Sequence, residues 1–283
     1  MDYPRISVVI PSYNQGRFIE QTILSVIGQS YPDLEVLIID GGSKDETVDV
    51  IKRYEGSLAY WESEPDRGQA HAINKGFRRA TGSILCWLNS DDMYLPGALL
   101  DVARQLGPTA EPKLLYGGCV HVYEHSSRAV TDIARSEPIE RLKNNDFILQ
   151  PSAFWTRETW RLAGEIDESY HYALDWDWFI RASHVGRFVR TDRIFSVYRH
   201  HEGHKTGAGG EKRAREVVRM IAQYNDDDWV RAYSAVVDDF ERVQRRIKAV
   251  QRLKYWPAWK LALWPLVLKH GADKIDCAVS MLL

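Results

Sequence analysis

Two adjacent aspartates, Asp91 and Asp92, have the clearest potential for chemistry in this sequence. They follow the apolar run at residues 84–88, with Asn89 and Ser90 between, so they stand at the end of a predicted strand. Mg²⁺ and Mn²⁺ prefer oxygen ligands and need few protein carboxylates when phosphate and water supply the rest. Asp91 is therefore a candidate ligand for a divalent cation. The alternative is that both acids begin the next helix, where carboxylates stabilise free backbone N–H groups.

Histidines form a second candidate group. His201 and His204 follow a predicted strand at residues 194–198, in a segment that also contains Arg199 and Lys205. A lone histidine is usually structural, whereas an imidazole beside a carboxylate can complete a metal site and favours Mn²⁺ somewhat over Mg²⁺. Arg199 and Lys205 could instead bind phosphate as plain cations.

Alternating strand and helix patterns must position these groups. Short apolar runs alternate with segments whose apolar residues recur at helical spacing. Strands are predicted at residues 6–10, 35–40 and 84–88, and helices at 18–28, 45–54, 69–80 and 96–106. Continuous apolar strands between helices indicate a mostly parallel sheet that is covered on both faces, which defines an α/β fold.

Polar loops follow three of these strands, at residues 11–14, 40–43 and 89–92. Ligands of open α/β sheets bind in the crevice beyond the carboxyl ends of the strands, so we expect the three loops to converge on one site. Neither G-x-G-x-x-G nor G-x-x-x-x-G-K-[ST] is present. The sequence therefore lacks the dinucleotide fingerprint and the Walker loop.

The pattern changes after about residue 110. Strands are predicted at residues 114–122, 151–155 and 194–198, a short helix at 174–182, and a mobile polar loop at 126–145. From residue 211 onward the pattern is helical. One apolar stripe is predicted there, formed by Val230, Tyr233, Val236, Val237, Phe240, Val243, Ile247 and Val250.

Composition limits the classes of function. The 283 residues are 45% hydrophobic and carry a formal net charge of −2, which favours one or two globular domains and argues against nucleic-acid binding. Cys86, Cys119 and Cys277 lack the spacing of a metal site, which favours a reducing compartment. The N-terminal residues have no signal-peptide pattern and no window is apolar enough to span a bilayer, so we expect a cytoplasmic protein.

Several ordered motifs together resemble one known family. The segments SVVIPSYNQGRFIEQTILSVIGQSYPDLEVLIIDGGSKDET and SEPDRGQAHAINKGFRRATGSILCWLNSDD are similar to the nucleotide-sugar-binding half of the family 2 glycosyltransferases, which have the GT-A fold. QPSAFW, YALDWDWFIR and SVYRHH resemble the acceptor half. The resemblance covers residues 5–205. It implies a GT-A catalytic domain at 1–205, with a nucleotide-sugar-binding half at 1–110 and an acceptor half at 111–205, and a helical C-terminal extension at 206–283.

The resemblance also implies which residues bind the donor. The family's D-x-D motif falls on residues 89–91, where Asp91 is the metal-coordinating acid, and Gly41 stands where the family commonly has a second acid. A turn or helix cap is the alternative role for Asp66. The implied donor-binding residues are Pro11, Ser12, Tyr13, Asn14, Asp40, Asp66, Gly68, Asn74, Asn89, Ser90, Asp91 and Arg199.

The implied cofactor is a divalent metal, Mn²⁺ or Mg²⁺. An Arg-x-His motif of the family supplies a phosphate-binding cation and a second metal ligand, and it falls on Arg199 and His201. The metal ligands implied are therefore Asp91 and His201, with His204 as the alternative to the histidine.

The implied catalytic base is Asp175. An inverting transfer needs a carboxylate that removes the proton of the acceptor hydroxyl as its oxygen attacks. Asp175 matches the second position of the family's Glu-Asp-x-Asp pattern, in which Leu174 replaces the glutamate. The alternative is that Asp175 caps a helix, a role that Asp177 could take instead.

The C-terminal segment raises a separate question. Basic residues at positions 242–254 precede the Trp-rich sequence YWPAWKLALWPLVL. Cationic and aromatic side chains suit the headgroup region, which predicts peripheral membrane contact through residues 242–268 and a lipid-linked acceptor. The alternative is a helix that packs on the catalytic domain or in a homo-oligomer interface.

The function predicted from the resemblance is an inverting, metal-dependent glycosyltransferase of hexosyltransferase type. It would use a nucleoside diphosphate sugar, in particular a UDP-sugar, to build bacterial surface polysaccharide or glycolipid at the inner face of the cell membrane. A catalytically inactive protein that binds nucleotide or carbohydrate is the alternative, because Asn89 and Leu174 depart from the family pattern. A nucleotidyltransferase is a third hypothesis, which no Gly-rich loop after the first strand supports.

Overall fold

The computed structural model describes residues 3–126, 128–205, 209–251 and 263–280. The chain forms two compact units, Met1–Ile139 with Phe147–Glu202, and Glu140–Asp146 with Gly203–Leu283. The predicted domain limits, at residues 110 and 205, stay predictions.

Nine strands in the described part of the first unit form one sheet. They are β1 (Ile6–Ser12), β2 (Leu34–Asp40), β3 (Tyr60–Ser63), β4 (Ile84–Trp87), β5 (Met93–Tyr94), β6 (Lys113–Tyr123), β7 (Arg128–Asp132), β8 (Ala153–Thr156) and β9 (Arg187–His200). Their order is β3-β2-β1-β4-β8-β6-β9-β5, and β7 pairs with β6. The first four strands in this order are parallel, β8 is antiparallel to both neighbours, and β6 is parallel to β9. The predicted α/β class is confirmed.

Helices cover both faces of this sheet. They are α1 (Ile19–Ile27), α2 (Thr47–Arg53), α3 (Gln69–Arg79), α4 (Ala98–Leu106), α5 (Arg157–Ala163) and α6 (Leu174–Ser183). Val8 and Ile10 of β1 join one buried cluster with apolar residues of α1, α2 and α4. Val9 points to the other face, where a Cβ on Gly76 of α3 would come within 2.4 Å of its Cγ1. A glycine at position 76 therefore lets α3 approach the sheet closely.

The predicted mobile loop at residues 126–145 is wrong. It contains β7, which pairs with β6, and a short 3₁₀ helix at Ile139–Lys143. The strand predicted at 194–198 is also longer, since β9 begins at Arg187. No residue of β7 is buried, and residues 187–193 of β9 are mostly polar, so pairing with β6 forms both without the continuous apolar run that marks a buried strand.

The second unit is helical, as predicted for the C-terminal extension. Its helices are α7 (Gly210–Tyr224), α8 (Asp227–Val237), α9 (Phe240–Gln251), α10 (Trp264–His270) and α11 (Ala272–Ser280). Asp238 and Asp239 separate α8 from α9, so the predicted apolar stripe belongs to two helices. The buried hydroxyl of Tyr233 donates a hydrogen bond to the carbonyl of Asn144, which attaches residues 140–146 to this unit.

No helix in the described ranges is both long and apolar enough to cross a bilayer. Much of the Trp-rich sequence, including Trp256 and Trp259, lies outside the described residues.

Candidate functional site

The loops after β1 and β2 are tied to each other. Asn14 donates its backbone N–H to Ser43 Oγ (2.7 Å) and accepts the N–H of Lys44 through Oδ1 (2.9 Å). It has a φ of 51°, which asparagine tolerates better than most residues. Asn14 therefore holds two of the predicted site loops together.

Of the predicted donor residues in the first loop, Pro11 and Ser12 belong to β1 and are buried, whereas Tyr13 is 59% exposed. The buried hydroxyl of Ser12 has no hydrogen-bond partner among the described residues. Such a group is uncommon in folded proteins and is readily satisfied by a ligand or a water molecule. Ser12 and the Tyr13 ring are thus available to a ligand at this strand end.

The carboxylate of Asp40, a predicted donor-binding group, accepts hydrogen bonds from the protein itself. It accepts hydrogen bonds from the N–H groups of Gly42 (3.1 Å) and Ser43 (2.8 Å) and from the hydroxyls of Ser43 and Ser63. The side chain is also buried. Asp40 therefore shapes the loop after β2, and its contact with a donor stays a prediction.

Asp66 lies beside Gly41, at the place where the family pattern has a second acid. A Cβ on Gly41 would be 2.9 Å from Asp66 Oδ2, so the glycine leaves room for this carboxylate. Asp66 Oδ1 accepts the N–H of Gly68 (2.7 Å), which has a φ of 113° and precedes α3. The turn role of Asp66 is thus present, and it places the acid next to the loop after β2.

Asn74 is buried in α3, and its amide bonds to the main chain of Ile166. Nδ2 donates to the Ile166 carbonyl (2.9 Å) and Oδ1 accepts the Ile166 N–H (3.0 Å). This side chain ties α3 to the segment before α6, which is a structural role. Its role in donor binding stays a prediction.

We expect Asn74→Ala to lower the free energy of unfolding by about 1–3 kcal/mol, because the buried N–H and C=O of Ile166 lose their partner. Urea unfolding measures this change, and Lys52→Ala, at an exposed helical position, is the control. An Asn74→Ala protein as stable as the control would contradict the structural role.

Asn89 joins three segments through its side-chain amide. Oδ1 accepts Nε2 of Gln69 (2.7 Å), while Nδ2 lies 3.2 Å from Gln150 Oε1 and 3.4 Å from Asp92 Oδ2. Gln150 in turn donates to the carbonyl of Trp87 (2.9 Å). An ionised aspartate at position 89 could not donate these bonds and would add charge beside Asp92. The amide therefore suits this place better than an acid.

Asp92 and the main chain of Ser90 fix the loop after β4. Asp92 Oδ1 accepts the N–H of Arg199 in β9 (3.1 Å), and Thr22 Oγ1 donates to the carbonyl of Ser90 (2.9 Å). Both Ser90 and Asp92 are buried. Burial raises the pKa of the Asp92 carboxyl well above its usual range, and the neighbouring charge of Asp91 acts in the same direction.

Asp91 and Asp92 do not cap a helix, since β5 follows them and α4 begins only at Ala98. Asp91 instead faces His201, whose Nε2 lies 3.0 Å from Asp91 Oδ2. Nδ1 of the same ring is 2.9 Å from the carbonyl of Glu202 and must donate to it. The hydrogen bond to Asp91 is the main cause of the raised pKa of His201. The structure thus brings together the two predicted metal ligands.

The donor set fits a divalent cation. A metal-binding histidine characteristically donates its other ring N–H to a carbonyl or carboxylate, as His201 does through Nδ1. Within the part of the chain that the structure describes, no group of three or more His, Cys, Asp or Glu side chains is placed to hold a metal. Asp91 and His201 would therefore supply two ligands, and phosphate and water the others. His204 belongs to the second unit.

Arg199, the predicted phosphate-binding cation, contacts other residues of the protein. Its side chain is buried, and Nη2 donates to Gln21 Oε1 (2.7 Å). Burial lowers the pKa of its guanidinium. The guanidinium of Arg199 is thus little exposed to solvent and already has a partner in Gln21.

Asp175 is half-buried in the first turn of α6, where Ala173 occupies the N-cap position. Phe179, one turn further along the same face, stacks on Trp87 at the end of β4 with ring centroids 6.4 Å apart. The aromatic packing therefore fixes α6 against β4, the strand whose following loop contains Asp91. Asp177 forms an ion pair with Arg181 at 2.9 Å instead of capping the helix.

The sequence prediction missed an aromatic cluster on β6 and β9. Tyr123 stacks on His200 with centroids 4.2 Å apart, and His121 Nδ1 lies 2.9 Å from His200 Nε2. Paired register places these residues on one face, opposite that of Arg199. The alternation of His121 with Tyr123, and of Tyr198 with His200, was the signal available in the sequence.

The fold and site together define an α/β protein whose strand-end loops surround a candidate metal site. Residues 7–154, just over half of the chain, match the family model described as Glycosyl transferase family 2. The chain belongs to this family.

Known relatives agree with this assignment. An uncharacterised glycosyltransferase of Rickettsia prowazekii (strain Madrid E) is 27% identical over 215 residues, which cover 70% of this chain and 62% of the relative's length. The structure of S. aureus TarS 1-349 in complex with UDP-GlcNAc matches with a TM-score of 0.63 at 19% identity and covers 97% of this chain and 83% of that chain. The mannosyltransferase PcManGT from Pyrobaculum calidifontis, in complex with GDP-Man and Mn²⁺, has a TM-score of 0.63 at 18% identity, with coverage of 100% and 88%. The predicted GT-A fold is confirmed.

Proposed function

We propose that the protein is an inverting glycosyltransferase that moves a sugar from a nucleoside diphosphate sugar, in particular a UDP-sugar, to a hydroxyl of a glycan or glycolipid. The observation that carries the proposal is the pair formed by Asp91 and His201 in a family 2 chain. His201 Nε2 lies 3.0 Å from Asp91 Oδ2, in the loop that follows the carboxyl end of β4. Ligands of open α/β sheets bind at this edge.

Particular residues are assigned to the donor. The exposed ring of Tyr13 can pack on a nucleobase, and the unsatisfied hydroxyl of Ser12 can bond to the nucleoside. Asp66 lies next to the same loops and can accept a hydrogen bond from the base. TarS was solved with UDP-GlcNAc bound, which supports a nucleotide sugar as the ligand class.

Asp91 and His201 would hold the divalent cation, which neutralises charge on the leaving diphosphate without proton transfer. Mn²⁺ accompanies GDP-Man in the PcManGT complex. Asp175 would remove the proton of the acceptor hydroxyl as that oxygen attacks the anomeric carbon. One displacement of this kind inverts the configuration.

Release of UDP or GDP from a panel of nucleotide sugars, with and without Mn²⁺, tests the activity. Release that depends on the cation, together with the anomeric configuration of the product, would support the proposal. Nucleotide binding by calorimetry with no release from any donor would favour the inactive binding protein instead. Pyrophosphate production from a nucleoside triphosphate would favour a nucleotidyltransferase.

We further propose that α10 attaches the protein to the inner face of a bacterial membrane, where lipid-linked acceptors for surface polysaccharide are found. Trp264 and Leu268 are 50% and 69% exposed and share one helix face, next to Lys269. Apolar residues beside cations suit the interface of an anionic membrane.

We expect the double variant Trp264→Ser and Leu268→Ser to lose flotation with anionic lipid vesicles, because it removes the apolar contact. Leu162→Ser, at a 43% exposed leucine of α5, is the matched control. Equal flotation of the double variant and the wild type would rule out membrane contact through α10.

A further inference from the structure

An exposed ion pair joins the donor side of the first unit to the end of β6. Arg17, in the loop after β1, places Nη2 3.1 and 3.2 Å from the two carboxylate oxygens of Glu124. The Arg17 side chain is 68% exposed and that of Glu124 24%. Arg17 lies within the first family-like segment but is not among the donor-binding residues that the resemblance implies, and Glu124 lies outside the motifs.

Phe18 connects this pair with the candidate metal site, because its ring contacts both Arg17 and His201. The guanidinium carbon of Arg17 is 4.9 Å from the Phe18 ring centre, and the His201 ring packs on the same phenyl group with centroids 4.3 Å apart. Glu124 is close enough to raise the pKa of His201, although less than Asp91 does. Arg17 therefore borders the place where a metal-bound diphosphate would lie.

A diphosphate at this place needs a cation that can reach it. The guanidinium carbon of Arg199 also lies 4.9 Å from the centre of the Phe18 ring, but this side chain is buried and donates a hydrogen bond to Gln21. Arg17 is exposed, and a guanidinium matches two phosphate oxygens at once. Exposed ion pairs such as that with Glu124 are weak, so an anion with two or more charges can displace the carboxylate.

We propose that Arg17 binds the diphosphate of the nucleotide donor, and that Glu124 is its counter-ion when no donor is present. This inference rests on the proposed function. It transfers the phosphate-binding role from Arg199 to a residue of the first loop. It also predicts opposite effects for neutralising the two members of the pair, which a merely structural ion pair would not produce.

Calorimetric titration with UDP in the presence of Mn²⁺ tests the inference, and uridine serves as the probe without phosphate. We expect Arg17→Gln to weaken UDP binding roughly 10-fold or more, the size of a lost charge-assisted bond. Glu124→Gln should tighten UDP binding several-fold, and less so in the Arg17→Gln background. Uridine binding should be unchanged in all three variants.

Arg161→Gln is the matched control, because Arg161 forms an exposed ion pair with Glu158 on α5 with 64% and 31% exposure. UDP affinity of Arg17→Gln within twofold of the wild type would overturn the inference, as would equal losses for UDP and uridine. A wild-type protein that binds neither UDP nor GDP would overturn the proposed function itself. If the wild type binds UDP and Arg17→Gln binds it equally well, the inference about Arg17 is overturned but the proposed function is not.

Discussion

Asp91→Ala is expected to reduce Mn²⁺-dependent release of UDP from the preferred donor by roughly 100-fold or more, about 2.7 kcal/mol of transition-state stabilisation. The substitution removes the carboxylate that faces His201 at 3.0 Å and leaves the imidazole as the one remaining protein ligand of the pair. Calorimetry should show a parallel loss of Mn²⁺ affinity, so the role of Asp91 in metal binding can be measured without an activity assay.

Two further variants separate metal binding from a structural role of Asp91. Asp91→Asn keeps the size of the side chain and an oxygen that can accept from His201, yet it should lose as much activity because the charge is gone. Asp33→Ala removes an exposed acid just before β2, at the amino ends of the parallel strands and so at the edge of the sheet opposite the candidate site. It should leave UDP release unchanged. Activity of Asp91→Ala within about threefold of the wild type would contradict the assignment of the metal site.

Three of the four parallel strands, β1, β2 and β4, were predictable because most of their residues are buried, whereas β3 at the edge is only half-buried and was not predicted. Val8 and Ile10 pack on one face of β1 and Val9 packs on the other, so the sequence of this strand is a continuous apolar run. Polar strands such as β7 carry no such pattern, since their hydrogen bonds with β6 do not depend on side-chain type. The sequence therefore predicts the donor-side strands better than the edge of the sheet.

The site was predictable to the level of loops, but not to the level of free functional groups. Asp40, Asn74 and Arg199 lie in the predicted motifs, and each is engaged by protein. Their partners, Ser63, Ile166 and Gln21, are distant from them along the chain, and no sequence pattern indicates which pairs will meet. Burial and hydrogen bonding, which only the folded chain provides, distinguish these residues from Asp91, Tyr13 and Arg17.

Asp175→Asn is expected to lower the rate of sugar transfer by roughly 100- to 10,000-fold, the range for loss of a general base. The asparagine keeps the shape of the side chain but cannot take a proton from the acceptor hydroxyl. Binding of UDP and Mn²⁺ should stay the same, because the base is assigned to the acceptor and not to the diphosphate. Single-turnover transfer and UDP calorimetry on the same variant measure the two effects.

Asp177 provides the matched comparison, because it lies two residues further along α6 and is also an aspartate. It is buried and bonded to Arg181 at 2.9 Å, so Asp177→Asn weakens a charge-assisted bond and should lower stability by about 1–3 kcal/mol. The folded fraction of Asp177→Asn should nevertheless transfer sugar at close to the wild-type rate. If Asp175→Asn retains transfer while Asp177→Asn loses it, the base is Asp177, at the fourth position of the family's Glu-Asp-x-Asp pattern instead of the second.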